Sequence, residues 1–151
     1  MPFDANLTLV DGSADWTYAN LVSSDYGTPV STTRNAGGFA VIDLLQAGAS
    51  PGVGLTVVLI LSEEAAATDD ALTVSVQQCA SAAFGSAVST LAGFDIAAAT
   101  TGIIVGSETP CTVMRRVAPT MQYIRVDASC VSGDDFGVGY CFIIPWGYNR
   151  L

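Results

Sequence analysis

Apolar and polar residues alternate along several short stretches of this chain, and no stretch carries a helical period. From Ala71 to Gln77, Leu72, Val74 and Val76 point one way and Thr73, Ser75 and Gln77 the other. From Met121 to Ala128 the pattern repeats. Met121, Tyr123, Arg125 and Asp127 share one face, and Gln122, Ile124, Val126 and Ala128 the other. Leu55 to Leu61 is apolar except for Thr56, which predicts a strand covered on both faces. Leu7 to Val10 reads as a short edge strand. A turn at Asp11-Gly12-Ser13 then leads into a strand with Trp16 and Tyr18, running toward Val22. Phe39 to Leu45, Gly102 to Val105, Thr112 to Val117 and Phe136 to Ile144 complete eight or nine short strands. The alanine runs at Ala65-Ala66-Ala67 and Ala97-Ala98-Ala99 are short and sit beside Thr or Asp, so they read as loops.

Without crossover helices the strands must be mostly antiparallel, and their spacing suits a sandwich or barrel. The expected fold is all-β, an antiparallel two-sheet sandwich, and a jelly roll in particular. One domain over 1–151 is expected, with an N-terminal arm over about 1–15 and a C-terminal tail over about 145–151. That tail, with Trp146 and Tyr148, either packs down or reaches a neighbour.

Composition changes the picture in one respect. Half the residues are hydrophobic and 13% are charged, about half the usual charged share. Ala, Gly, Ser and Thr fill the difference and suit dry, close contacts, so oligomerisation or docking is expected. The net charge is −9, there is no Lys, and five Arg carry every cation. Nucleic acids and anionic membranes are bound through Lys and Arg, so this balance argues against both as partners. The opening Met1-Pro2-Phe3-Asp4 lacks a secretory pattern, and the longest apolar stretch, Val53 to Leu61, is too short for a spanning helix. Synthesis in a cytosol is expected.

Candidate chemistry is sparse. The absence of His and Lys removes the usual nucleophile–base pairs and Schiff-base chemistry. The acid pairs Glu63-Glu64, Asp69-Asp70 and Asp134-Asp135 lie in turns, where sequence neighbours point apart. Asp11-Gly12-Ser13-Ala14-Asp15 lacks the ligand ladder of a calcium loop, and no helix follows Gly52-Val53-Gly54 to hold a phosphate. No enzyme activity, metal or cofactor is expected. Arg125 stands mid-strand between Tyr123 and Asp127, either in a self-satisfied polar stripe or as a contact to a neighbouring subunit. The four cysteines, Cys79, Cys111, Cys130 and Cys141, have no zinc-site spacing. Two readings stay open for them. One is buried free thiols. The other starts from a hairpin turning about the Asp135–Phe136 bond, which sets Cys130 opposite Cys141 within disulfide reach and leaves Cys79–Cys111 as the second pair.

In order along the chain come Val41-Ile42-Asp43-Leu44, the strand Ala71-Leu72-Thr73-Val74-Ser75-Val76-Gln77, and the segment Ala83-Phe84-Gly85-Ser86-Ala87. Then come Tyr123-Ile124-Arg125-Val126-Asp127 and a last strand rich in Gly, Val and aliphatics. The ordered set, from about Phe39 to Ile144, resembles the jelly-roll cement (decoration) proteins of tailed bacteriophages. The four cysteines and Arg115-Arg116 depart from that pattern. The resemblance implies a virion protein made in the host cytoplasm, without cofactor or enzymatic activity. It would sit on the outer surface of an icosahedral capsid and clamp subunits of the major capsid protein. As a homo-oligomer, a trimer comes ahead of a dimer. The competing expectation is a carbohydrate-binding jelly-roll module of a phage tail or secreted enzyme, using Trp16, Tyr18, Tyr26, Trp146 and Tyr148. A small acidic hydrolase comes third.

Overall fold

The alternating stretches become strands that stack as two sheets. In the computed structural model, residues 7–17, 38–45, 54–62, 71–97, 104–105, 111–130 and 135–145 are described. They form nine strands: β1 (Thr8–Thr17), β2 (Ile42–Asp43), β3 (Leu55–Leu61), β4 (Ala71–Cys79), β5 (Ser89–Ala97), β6 (Ile104–Val105), β7 (Cys111–Val117), β8 (Tyr123–Cys130) and β9 (Asp135–Pro145). No helix occurs among the described residues. One sheet has the order β1-β9-β3-β7 and the other β2-β8-β4-β5-β6. The pairs β1·β9, β2·β8, β3·β7 and β4·β5 nest inside one another along the chain, and β3·β9 and β4·β8 then join them. All are antiparallel except β5·β6, a parallel contact of two residue pairs.

The core follows the alternation. Val57, Leu59 and Leu61 of β3 and Ile143 of β9 face Leu72, Val74 and Val76 of β4, Ile124 and Val126 of β8, and Phe94 and Ile96 of β5. Each such side chain stabilises the fold by roughly 1.5–3 kcal/mol through burial. Gln78 is the buried polar residue of this inner face. It closes one end of the sandwich: its Oε1 accepts from the N–H groups of Thr120 (2.8 Å) and Met121 (3.1 Å), and its Nε2 donates to Thr120 Oγ1 (3.2 Å).

Three expectations change. Leu7–Val10 and the Trp16 strand are one strand, β1, and Asp11-Gly12-Ser13 lies within it rather than at a turn. The register against β9 shifts three times, because bulges absorb the extra residues. The segment read as an arm is therefore sheet from Thr8 onward. The tail residues 146–151, with Trp146 and Tyr148, lie outside the described residues, as do Tyr18 and Tyr26. Second, β5 was not expected at all. Gly93 and Asp95 are weak strand formers, and a bulge between Val76 and Gln77 of β4 and their β5 partners breaks the alternation at Leu91. Third, the hairpin that would join Cys130 to Cys141 does not exist. β8 and β9 belong to different sheets, so they do not pair with each other as a hairpin. Cys130 stands opposite Leu72, and Cys141 opposite Val10 and Leu59. None of Cys79, Cys130 and Cys141 is in a disulfide, which removes the Cys79–Cys111 pair as well.

Trp16 is fully buried against Gly139, where an added Cβ would lie 2.4 Å from the indole. Its Nε1 has no hydrogen-bond partner. Gly12 has φ +76°, and a Cβ there would meet the Tyr140 ring at 2.2 Å, but Tyr140 is exposed and can swing away. We expect Gly139→Ala to cost about 3 kcal/mol, because the indole has nowhere to go, and Gly12→Ala about 1–2 kcal/mol. Urea denaturation of the two variants checks the order.

Burial pushes the Cys141 thiol up to about 12 from an ordinary 9.0. The unfolded chain gives up that proton first. Stability from the neutral thiol is therefore complete below pH 9.0 and declines toward pH 12, by up to about 1.4 kcal/mol per pH unit. Denaturation at pH 8 and pH 10.5 should show a smaller loss in Cys141→Ala than in the parent chain.

Candidate interaction surfaces

Each sheet spends one face on the core, which leaves two outer faces and four edge strands for contacts. The outer face of the five-stranded sheet is polar and internally bonded. Tyr123, Arg125 and Asp127 alternate outward on β8, as predicted, and all are half-buried. Register sets Cys79 beside Tyr123, Gln77 beside Arg125 and Ser75 beside Asp127. Arg125 Nε donates to Gln77 Oε1 (2.9 Å), and Gln77 Nε2 donates to Asp127 Oδ2 (3.2 Å) and Ser75 Oγ (3.3 Å).

The β4–β5 connection folds back over this network. Phe84 is buried with Val41 and Cys79, and its ring lies under the Arg125 guanidinium at 4.3 Å. Phe84 (φ +50°) and Ala87 (φ +56°) hold left-handed backbone. For a bulky residue this is costly, and here burial and the cation–π contact offset it. Cys79 fastens the same loop, donating to the Ser86 carbonyl (3.2 Å) and accepting from the Ser81 N–H (3.4 Å).

The outer face of the four-stranded sheet is different in kind. Register builds three rows across β7, β3 and β9: Arg116–Thr56–Ile144, Met114–Val58–Phe142 and Thr112–Ile60–Tyr140. Thr8 and Asp11 of β1 extend the second and third rows. A half-solvated sheet carries polar residues on this side, yet six of these nine positions are aliphatic or aromatic. Met114 is 57% exposed, Ile144 45% and Tyr140 38%. Val58 is covered and Ile60 half-covered, so the strand expected to be buried on both faces is buried fully only at its centre.

The four edges are blunted. β2 and β6 have two residues each. β1 is broken by bulges. β7 pairs regularly with β3, but its Arg115 falls on the core-facing side of the strand, opposite Val57. There the guanidinium caps the open flank of the sandwich, 5.5 Å from the buried Phe94 ring, and Nη1 donates to the Met114 carbonyl (3.1 Å). A charge pointing inward on an edge strand opposes pairing with another chain.

No family model matches this sequence, and no curated protein or solved structure matches it either.

The sequence stripe of Tyr123, Arg125 and Asp127 is thus brought together, with Gln77, Ser75 and Phe84 as members that sequence reading did not include. Gln77 and Ser75 were legible as the outward half of the β4 alternation; Phe84 was not, because it arrives through a loop. Asp11 and Asp15 lie along β1, and no three acidic or cysteine side chains gather as a metal site among the described residues. Trp16, a candidate sugar-stacking ring, is wholly buried.

Arg125→Met keeps the aliphatic stem but removes the guanidinium from Phe84 and Gln77. A loss of about 1–2 kcal/mol in urea denaturation is expected. A change below about 0.3 kcal/mol would show that the network contributes nothing to stability.

Proposed function

We propose that this chain is a structural virion protein: a cement protein on the outer surface of an icosahedral phage capsid, self-associated and holding neighbouring major capsid protein subunits together. The apolar outer face of the four-stranded sheet is the observation that carries this reading. Its exposed apolar side chains, Met114, Ile144 and Tyr140, surround a buried centre, and exposed apolar side chains grouped on one face are characteristic of contact with another protein. The blunted edges support a contact made by a face rather than by strand addition. The charge-poor composition points the same way.

The strand order supports the jelly-roll form of the sandwich. With the two-residue β6 set aside, the first strand pairs the last, the second pairs the next to last, and so on inward to β4·β5. This nesting is the plan of two interlocked Greek keys, an architecture found in capsid and lectin domains alike. The sugar-binding alternative is weakened by Trp16, whose ring is out of reach of any ligand.

A cement protein works by simultaneous attachment. Each contact can be weak, because once one is made the others form at high effective concentration. A mass-spectrometric inventory of purified particles carrying this protein tests the reading. A copy number near that of the major capsid protein is expected, and particles lacking it should rupture at lower temperature. A few copies per particle, or an unchanged rupture temperature, would remove the proposal.

A further inference from the structure

We propose that residues 81–88, the connection between β4 and β5, form a latched strap that opens as a unit while both sheets stay folded. The strap is a device of the single chain and does not depend on the shell reading above.

The strap lies wholly outside the ladder. The last β4·β5 pair is Gln78↔Ser89, so lifting the residues between them breaks no strand pairing. Its side chains hold it at few points: all but Ala82 and Phe84 are exposed. Two fastenings remain. Phe84 packs with Val41 and Cys79 under the Arg125 guanidinium, and half-buried Ala82 sits against the same cluster. The Cys79 thiol donates to the Ser86 carbonyl (3.2 Å) and accepts from the Ser81 N–H (3.4 Å). A thiol is a weak donor and a weak acceptor, so the buried ring is the main latch and the sulfur the lesser one.

The backbone works against the latch. Phe84 (φ +50°) and Ala87 (φ +56°) are both left-handed, which a side chain with a Cβ adopts at a cost. Lifting the strap lets both return to ordinary backbone, so opening releases strain at two positions at once. The bonds among Arg125, Gln77, Asp127 and Ser75 include no strap atom and survive the opening. A segment with few buried apolar contacts opens locally at less than the cost of global unfolding.

Opening changes what the outer face of the five-stranded sheet presents. Val41 and Cys79 lose the ring that covers them, and the Arg125 guanidinium loses its aromatic partner. Closed, the face is polar and satisfied by its own groups. Open, it shows an apolar recess beside a cation.

The thiols of the full chain test the strap. Cys79 is buried beneath it, and Cys141 is buried in the sandwich core. Iodoacetamide labelling across a urea series, read by peptide mass spectrometry, follows the two separately. In dilute urea Cys79 should react at least about tenfold faster than Cys141, with a rate nearly independent of urea, because a small opening exposes little surface. Phe84→Ala should speed Cys79 labelling roughly tenfold by removing the main latch. Ala87→Gly relieves strain at an exposed position away from the ring and should slow Cys79 about threefold. Cys79 labelling that follows Cys141 through the whole urea series would show that the strap opens only when the sandwich unfolds, and would overturn the proposal. Labelling of Cys79 at the rate of a free thiol, or an Ala87→Gly rate equal to or above that of the parent chain, would overturn it as well.

Discussion

Side chains on a strand alternate between two faces, and a two-sheet sandwich can cover only one face of each sheet with the other sheet. Every other feature of this molecule is arranged around that constraint. The inner faces hold Val57, Leu59, Leu72, Val74, Phe94, Ile124 and Val126 in one cluster. The outer faces then have to be dealt with separately, and the chain does so in two opposite ways. On the five-stranded sheet it lays a loop over the face and ties polar groups to one another. On the four-stranded sheet it buries Val58 and Phe142 at the centre and leaves Met114, Ile144 and Tyr140 exposed around them.

These two treatments have different energetic logic. Arg125, Gln77, Asp127 and Ser75 satisfy one another at 2.9–3.3 Å, so this face gains little by meeting a partner that would have to replace those bonds. The strained φ of Phe84 is held by the burial it achieves, which makes the loop part of the fold rather than a free lid. Exposed area at Met114, Ile144 and Tyr140 becomes favourable only when water is removed from it. The exposed apolar area thus lies on the second face, whereas the sequence stripe on β8 lies on the first.

How far the sequence discloses this depends on the distance over which each feature is determined. The period of two is local, so the inward and outward residues of β4 and β8 could be read directly, and the all-β sandwich followed. Bulges are determined by the partner strand. Asp11-Gly12-Ser13 looks like a turn in isolation and becomes sheet only because β9 offers Tyr140 beside it. β5 was hidden for the same reason: Gly93 and Asp95 argue against a strand until Ser75 and Thr73 of β4 stand opposite them. The cysteine pairing failed on a choice that is not local at all. Gly133, Asp134 and Gly137 suit a tight hairpin in sequence, but β8 finds its partners at β2 and β4, and β9 at β1 and β3. The apolar outer face was legible only as a continuous run in β3; its rows need the register of three strands.

The acidic balance and the apolar face act together. A net charge of −9 makes the approach of two copies repulsive on average. Two of the five arginines lie on β7. Arg115 turns inward and guards the edge, which suppresses the unlimited sheet extension that a regular seven-residue edge strand would otherwise invite. Arg116 turns outward, into the row of Thr56 and Ile144. Adjacent residues on one strand thus have different surroundings because the pleat sends them to opposite faces. Arg115 opposes the strand pairing that would propagate, and Arg116 stands on the outer face of the sheet.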